Sequence, residues 1–394
     1  MDILRARYVD AAPPPFAERR GWTPFLASLT DDALDDCERR GLAAHLETRA
    51  DAPPSLVDLA ASTRALAALA PPLPAPQGDP SRAPNVKARK QIQLDALLDA
   101  LRPMALDAAR VVELGSGSGH LTRLAAACFS LDALGLERDP ARVTFAESLA
   151  AGTRARFELR DALAKPFAMR ADDLAVGLHA CGALGDGLVR AAAEAGAAVA
   201  LVSCCLQKIP GPERAPLSKR AAKAGMIFER EFLGLSNVTE RGVGVEASHA
   251  ENLASREARF ALARLLRARG VRVDPGEAMR GLNRRSAHRG FAELAKAACA
   301  SRALEGPREA ELRAHALAAR EEFARVRRFS LPRVMLARAL ELAVVLDRAT
   351  ALEERGYEVR VRKVFDERVS PRNLGVFGRQ RGMNGAAAVI PSPR

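Results

Sequence analysis

Aromatic residues are scarce in this chain, with one Trp, two Tyr and 14 Phe among 394 residues. No basic stripe interleaved with aromatics occurs, so a platform of rings that stacks successive bases is excluded. Lysine is rare too, at eight of the sixty basic residues. The six cysteines, Cys37, Cys128, Cys181, Cys204, Cys205 and Cys299, contain no C-x-x-C pair. The adjacent pair cannot readily bridge to itself, so a disulfide framework is excluded and a reducing compartment fits. No segment offers the uncharged apolar length that a bilayer span demands. The opening "MDILRARYVDAAPPP" lacks an apolar stretch followed by a small-residue cleavage site. The expectation is a soluble, cytoplasmic protein. No fixed-period repeat is visible.

What is present is length and positive charge. At 394 residues the chain can bury the cores of two or three domains. A formal charge of +12 and a pI near 10.0 favour a polyanionic partner. Arginine spread over ordinary solvated surface would give the same total.

The first eighty residues read as helical. "SLTDDALDDCERRGL" places acids after Thr30, and "SLVDLAASTRALAAL" opens with Ser55 and Asp58 in a capping-box spacing. The prolines of "PPLPAPQGDPSRAP", 71 to 84, break both helix and sheet and set a boundary. From 85 to 205 a helix leads into apolar runs at 111–114, 131–137, 156–161, 173–180 and 198–205, mostly separated by helical stretches. That alternation predicts an α/β fold, a parallel sheet with helices on both faces. Residues 206–329 form an Arg-rich, mostly helical insert. At 330–379 the sheet pattern resumes: a helix with Pro332 near its start and Gly356 at its end, a strand "YEVRVRKVFD", a turn, and a last strand "LGVFGR". The tail, 380–394, is expected to be disordered.

Chemistry concentrates at "VVELGSGSGHLT", 111 to 122. Gly115, Gly117 and Gly119 occupy a strand-to-helix turn, where a ligand can approach bare backbone at a helix N-terminus. Their spacing is not the G-x-G-x-x-G that seats a pyrophosphate. With Glu113 before them they resemble motif I of class I methyltransferases that use S-adenosylmethionine (SAM). Glu137 ends the second strand, where a carboxylate can accept both ribose hydroxyls. Asp161 closes the third, placed for the adenine amino group.

Three further stretches are specific: "LHACGALGD" (178–186), "VSCCLQK" (202–208) and the segment 342–379 containing "SPRN". With "VKARKQIQ" before motif I they resemble a methyltransferase-like family carrying H-x-C-G, S-C-C and S-P-R-N signatures. The eukaryotic tRNA acceptor-stem 2′-O-methyltransferases are similar at the first two. The resemblance covers about 85–205 and 330–379. It implies a class I, Rossmann-like methyltransferase sheet with an N-terminal helical domain and a helical insert before the last two strands. SAM is then the cofactor, and with the positive charge RNA (tRNA or rRNA) is the first-choice substrate.

Ligands of such sheets sit beyond the carboxyl ends of the strands. His179, Cys181, Cys204 and Cys205 therefore belong at one edge, with Ser370, Pro371, Arg372 and Asn373 arriving from the turn between the last two strands. The catalytic candidates are His179, Cys181, Asp186, Lys208 and Arg372. His179 is a base or a substrate contact, or merely satisfies a carbonyl. Arg372 binds a phosphate through its planar fork or caps the turn. Lys87 and Lys90 contact phosphate or solvate a helix. The cysteines read equally as small buried hydrophobes. His179, Cys181, Cys204 and Cys205 could supply four N/S ligands to zinc, but H-x-C is a tight spacing, adjacent cysteines rarely both point at one ion and neighbouring strand residues face opposite sides, so no metal is expected.

Rival readings are a protein or small-molecule acceptor, a SAM-binding interaction module without catalysis, and cytosine C5 methylation through a Cys nucleophile. The last lacks the acid and proline expected before its cysteine. The amino-methylating [DN]-P-P-[FY] signature is absent after the fourth strand.

Overall fold

The computed structural model describes residues 2–5, 12–68, 71–73, 86–164, 167–235, 248–273 and 277–381. It divides into two compact units, one of residues 1–62 and 240–335, the other of 63–239 and 336–394. The sequence boundaries at 80, 205 and 330 divide the chain differently. The expected tail falls almost wholly outside the described residues. No described helix is long and apolar enough to cross a membrane.

The first unit is helical among its described residues. Trp22 is buried with Phe16 edge-on at 6.1 Å, and its indole N–H donates to Ser55 Oγ at 2.9 Å. That corrects the capping-box reading. The helix starts at Pro54, so Ser55 lies inside its first turn and serves Trp22 instead. Thr30 does cap its helix, accepting from the Ala33 amide ahead of Asp31 and Asp32.

The second unit is a Rossmann-like α/β sheet of the class I type. Its strands are β1 (Arg110–Leu114), β2 (Asp132–Glu137), β3 (Ala155–Leu159), β4 (Asp173–Leu178), β5 (Ala198–Val202), β6 (Tyr357–Lys363) and β7 (Leu374–Gln380). They are ordered β3-β2-β1-β4-β5-β7-β6, with β7 antiparallel to both neighbours. Every residue of β4 is buried, as a strand covered by helices on both faces must be. Two apolar clusters lie against the sheet. One gathers Leu94, Leu97 and Leu101 of the helix Ala88–Ala105, and the other gathers Leu188, Val189 and Leu352.

The last helix departs from the sequence reading. It runs from Glu309 to Glu353, so Pro332 sits in its interior and not at its start. One lost backbone hydrogen bond is tolerated there because Phe329, Leu331, Met335 and Ala337 around it are buried.

Candidate functional site

The turn after β1 is held by a carboxylate from β2. Glu137 Oε2 accepts the Gly117 amide at 2.9 Å, and Oε1 accepts the amides of Arg138 and Asp139 at 2.9 and 3.1 Å. Gly115, Gly117 and Gly119 all have positive φ, at 73°, 56° and 73°. The reasons for glycine differ. A Cβ on Gly119 would fall 2.4 Å from the Phe157 ring, whereas one on Gly117 would meet nothing closer than 3.8 Å. Gly119 is therefore a packing glycine, and Gly117 leaves open backbone for a ligand.

Glu113, one residue from the end of β1, is buried and accepts Thr122 Oγ1 at 2.5 Å. Burial pushes its carboxyl up to about 7 against the pull of Thr122 and Lys90. Lys90, on the helix Ala88–Ala105, is itself lowered by burial. Lys87 is exposed just ahead of that helix. Asp161 lies two residues past the end of β3, exposed, its Oδ1 accepting the Leu163 amide at 3.0 Å. Leu159 and Leu163 beside it are 57% and 52% exposed, unusual for leucines and available to a flat apolar ligand.

At the carboxyl ends of β4 and β5 the H-x-C-G and S-C-C segments meet. His179 has φ of 67°, a left-handed conformation that a residue with a Cβ adopts at a cost. Its amide donates to Val202 O at 2.8 Å, locking β4's end to β5's. The ring Nε2 lies 2.8 Å from Gln93 Oε1, and Nδ1 is buried without a hydrogen-bond partner. With Nε2–H donating to Gln93, Nδ1 carries the lone pair. Burial and the charges of Lys90 and Arg372 bring the imidazole down to about 3, so it is neutral at pH 7. Gln93 is missed by sequence reasoning, although "VKARKQIQ" contains it. No local pattern connects it with a histidine 86 positions on.

The Cys181 thiol lies 3.0 Å from the His179 carbonyl oxygen and 2.7 Å from Cys204 Sγ. Cys205 joins them, all three sulfurs lying within 4.8 Å of one another. The expectation that adjacent cysteines diverge is corrected here. β5 ends at Val202, so the strand alternation behind that argument no longer applies at 204 and 205. Hydrogen bonds from Cys181 and Cys204, followed by the charges of Arg372 and Lys208, favour the Cys205 thiolate. Lys208 is exposed, and its carbonyl accepts the Ala183 amide at 2.9 Å.

Asp186 stands apart from its sequence-based catalytic role. Both its oxygens bind Arg214 at 3.0 Å, and Oδ1 also takes Arg348 Nε at 2.8 Å. Burial raises its carboxyl, and the two guanidiniums more than reverse that. Arg348, fully buried, reaches on to Ser203 Oγ and the Gly182 carbonyl. Asp186 thus ties the H-x-C-G segment to the S-C-C segment through Arg348. The S-P-R-N turn is fastened similarly. Arg338 donates to Asn373 Oδ1 at 2.9 Å and to the Pro371 carbonyl at 3.2 Å, while Asn373 Nδ2 donates to Phe365 O at 2.7 Å. Ser370 and Asn373 are buried, and Arg372 is half-buried, close enough to act on the charges of both His179 and Cys205.

Residues 89–211 match a family model described as a methyltransferase domain. No curated protein matches the chain. Solved structures that resemble it include an amino pentose methyltransferase of calicheamicin biosynthesis from Micromonospora echinaspora, bound to SAM. It is 23% identical over 30% of this chain and 51% of its own, with a TM-score of 0.24. Coclaurine N-methyltransferase, bound to N-methylheliamine and SAH, is 16% identical over 46% of this chain and 60% of its own, with a TM-score of 0.26. The YcgJ protein of Bacillus subtilis is 24% identical over 27% and 50%, with a TM-score of 0.24. The chain spans about half the length of the solved structures it matches, from 48 to 60% for the first three. The matched segment holds β1 to β5, the glycine turn and both cysteine segments. Those residues carry the match to the methyltransferase-domain model.

Proposed function

We propose that the whole protein is a SAM-dependent methyltransferase acting on RNA, either tRNA or rRNA, in the cytoplasm. The observation that carries the reading is the Glu137 carboxylate folded against the open Gly117 backbone at the carboxyl edge of the sheet. The residues present fit the cofactor. Glu137 would hold the ribose hydroxyls, Asp161 the adenine amino group between Leu159 and Leu163, and the open side of Gly117 would admit the rest. Glu113 positions the turn through Thr122 at the start of the following helix. Bound SAM supplies an activated methyl group on a sulfonium.

The chain's own work is to position the acceptor and to take its proton. His179, at the carboxyl end of β4 with its ring fixed by Gln93, is the candidate base or acceptor contact. Gln93 sets its tautomer. Lys208 and Arg372 supply cations for phosphate, and Cys181 packs against the His179 carbonyl. Support for RNA comes from these cations, the net charge of +12 and the likeness of the H-x-C-G and S-C-C segments to the tRNA 2′-O-methyltransferases.

The test incubates the full chain with methyl-labelled SAM and either total RNA or total protein. Label in RNA, with RNA binding that falls steeply as salt rises, is expected. Label confined to protein would overturn the RNA assignment while keeping the methyltransferase one. Absence of SAM binding would overturn both.

A further inference from the structure

We propose that Cys181, Cys204 and Cys205 form a three-thiolate site for a soft divalent transition metal, zinc being the first choice. The geometry points there because three sulfurs from two separate strand ends converge within 4.8 Å. A tetrahedral zinc with bonds of about 2.3 Å sets its sulfurs about 3.8 Å apart. That separation lies within the observed limit and asks Cys181 and Cys204, now at 2.7 Å, to part by about 1 Å. A disulfide would account for two of the sulfurs and leave the third idle. A metal employs all three and keeps one position open, the pattern of a site that binds a further ligand.

The surroundings suit that charge. Three thiolates and a dication leave one net negative charge, and Arg372 and Lys208 already act on Cys205 with positive charge. As thiols, Cys181 and Cys204 both donate to the His179 carbonyl, at 3.0 and 3.7 Å, and a bound metal takes the place of those two protons. The other described cluster of potential ligands, Asp35, Glu38 and His249, does not compare. Its carboxylates are already paired with Arg327 and Arg256.

The test measures metal on the full chain purified under reductant from zinc-supplemented cells. About one equivalent of zinc per chain is expected to survive dialysis. Cobalt substitution should give thiolate-to-metal charge-transfer absorption and the visible bands of a tetrahedral ion. Cys205→Ser, at the least buried of the three, should lower retained metal at least tenfold while circular dichroism stays unchanged. Cys128→Ser, on the exposed face of another helix, should retain it all. Should Cys205→Ser fail to fold, cobalt titration of the reduced parent chain decides alone. A folded, metal-free protein whose sulfurs give no cobalt charge-transfer band overturns the proposal. So does a parent that loses two thiols to mild peroxide without having bound metal, which would make the cluster a dithiol pair.

Discussion

Glu137 Oε2 accepts the amide of Gly117 at 2.9 Å, so the end of β2 fixes the turn that follows β1. Glu137→Ala removes this acceptor and orphans the Arg138 and Asp139 amides as well. Calorimetry is expected to show SAM affinity lower by about 1 to 3 kcal/mol, the cost of leaving buried polar partners unmade. Unchanged affinity in a folded variant would remove Glu137 from the cofactor site.

His179 titrates far below its ordinary value, so it loads stability onto the alkaline side of its range. The unfolded chain binds a proton below about pH 6.5, and the folded chain does so only near 3. Stability tied to this group is complete above 6.5 and is lost as pH falls between those values. Asn tolerates the same left-handed backbone and does not titrate. From pH 6 to 4, denaturant unfolding of His179→Asn should therefore fall less steeply than the parent's, by up to about 1.4 kcal/mol per pH unit. Parallel curves would show that the histidine is solvated and chargeable.

Asp186→Asn leaves Arg348 and Arg214 buried with their shared partner neutralised. Breaking one side of a buried ion pair costs about 3 to 5 kcal/mol, and urea titration should read a loss of that size. A variant as stable as the parent would return Asp186 to the catalytic candidates.

Gly182 has φ of 51°, and a Cβ there would lie 2.1 Å from the Lys208 carbonyl oxygen. Strain of this kind costs about 1 to 3 kcal/mol before the backbone collision is added. Gly182→Ala should lower the unfolding midpoint, and Gly225→Ala, with positive φ and open space around it, should lower it less.

The sheet was legible in the sequence because strands announce themselves locally. Val111 and Val112, the apolar run of β4 after Asp173 and the glycine turn need no knowledge of distant residues to be read. The order of the strand ends placed His179, the cysteines and the S-P-R-N turn at one edge, since crossover rules leave little choice. What tertiary structure alone decided are the pairings across long separations. Asp186 reads as an acid in a signature until Arg348, 162 positions on, occupies it. Gln93 reads as one helical glutamine until the fold sets it against His179. The cysteines depended on where β5 stopped. Two residues after its end the alternation that keeps neighbours apart no longer holds, and the chain turns three sulfurs toward one point. Local periodicity is written in the residues themselves, whereas the partner of a buried charge, amide or thiol is settled by which segments the packed sheet brings together.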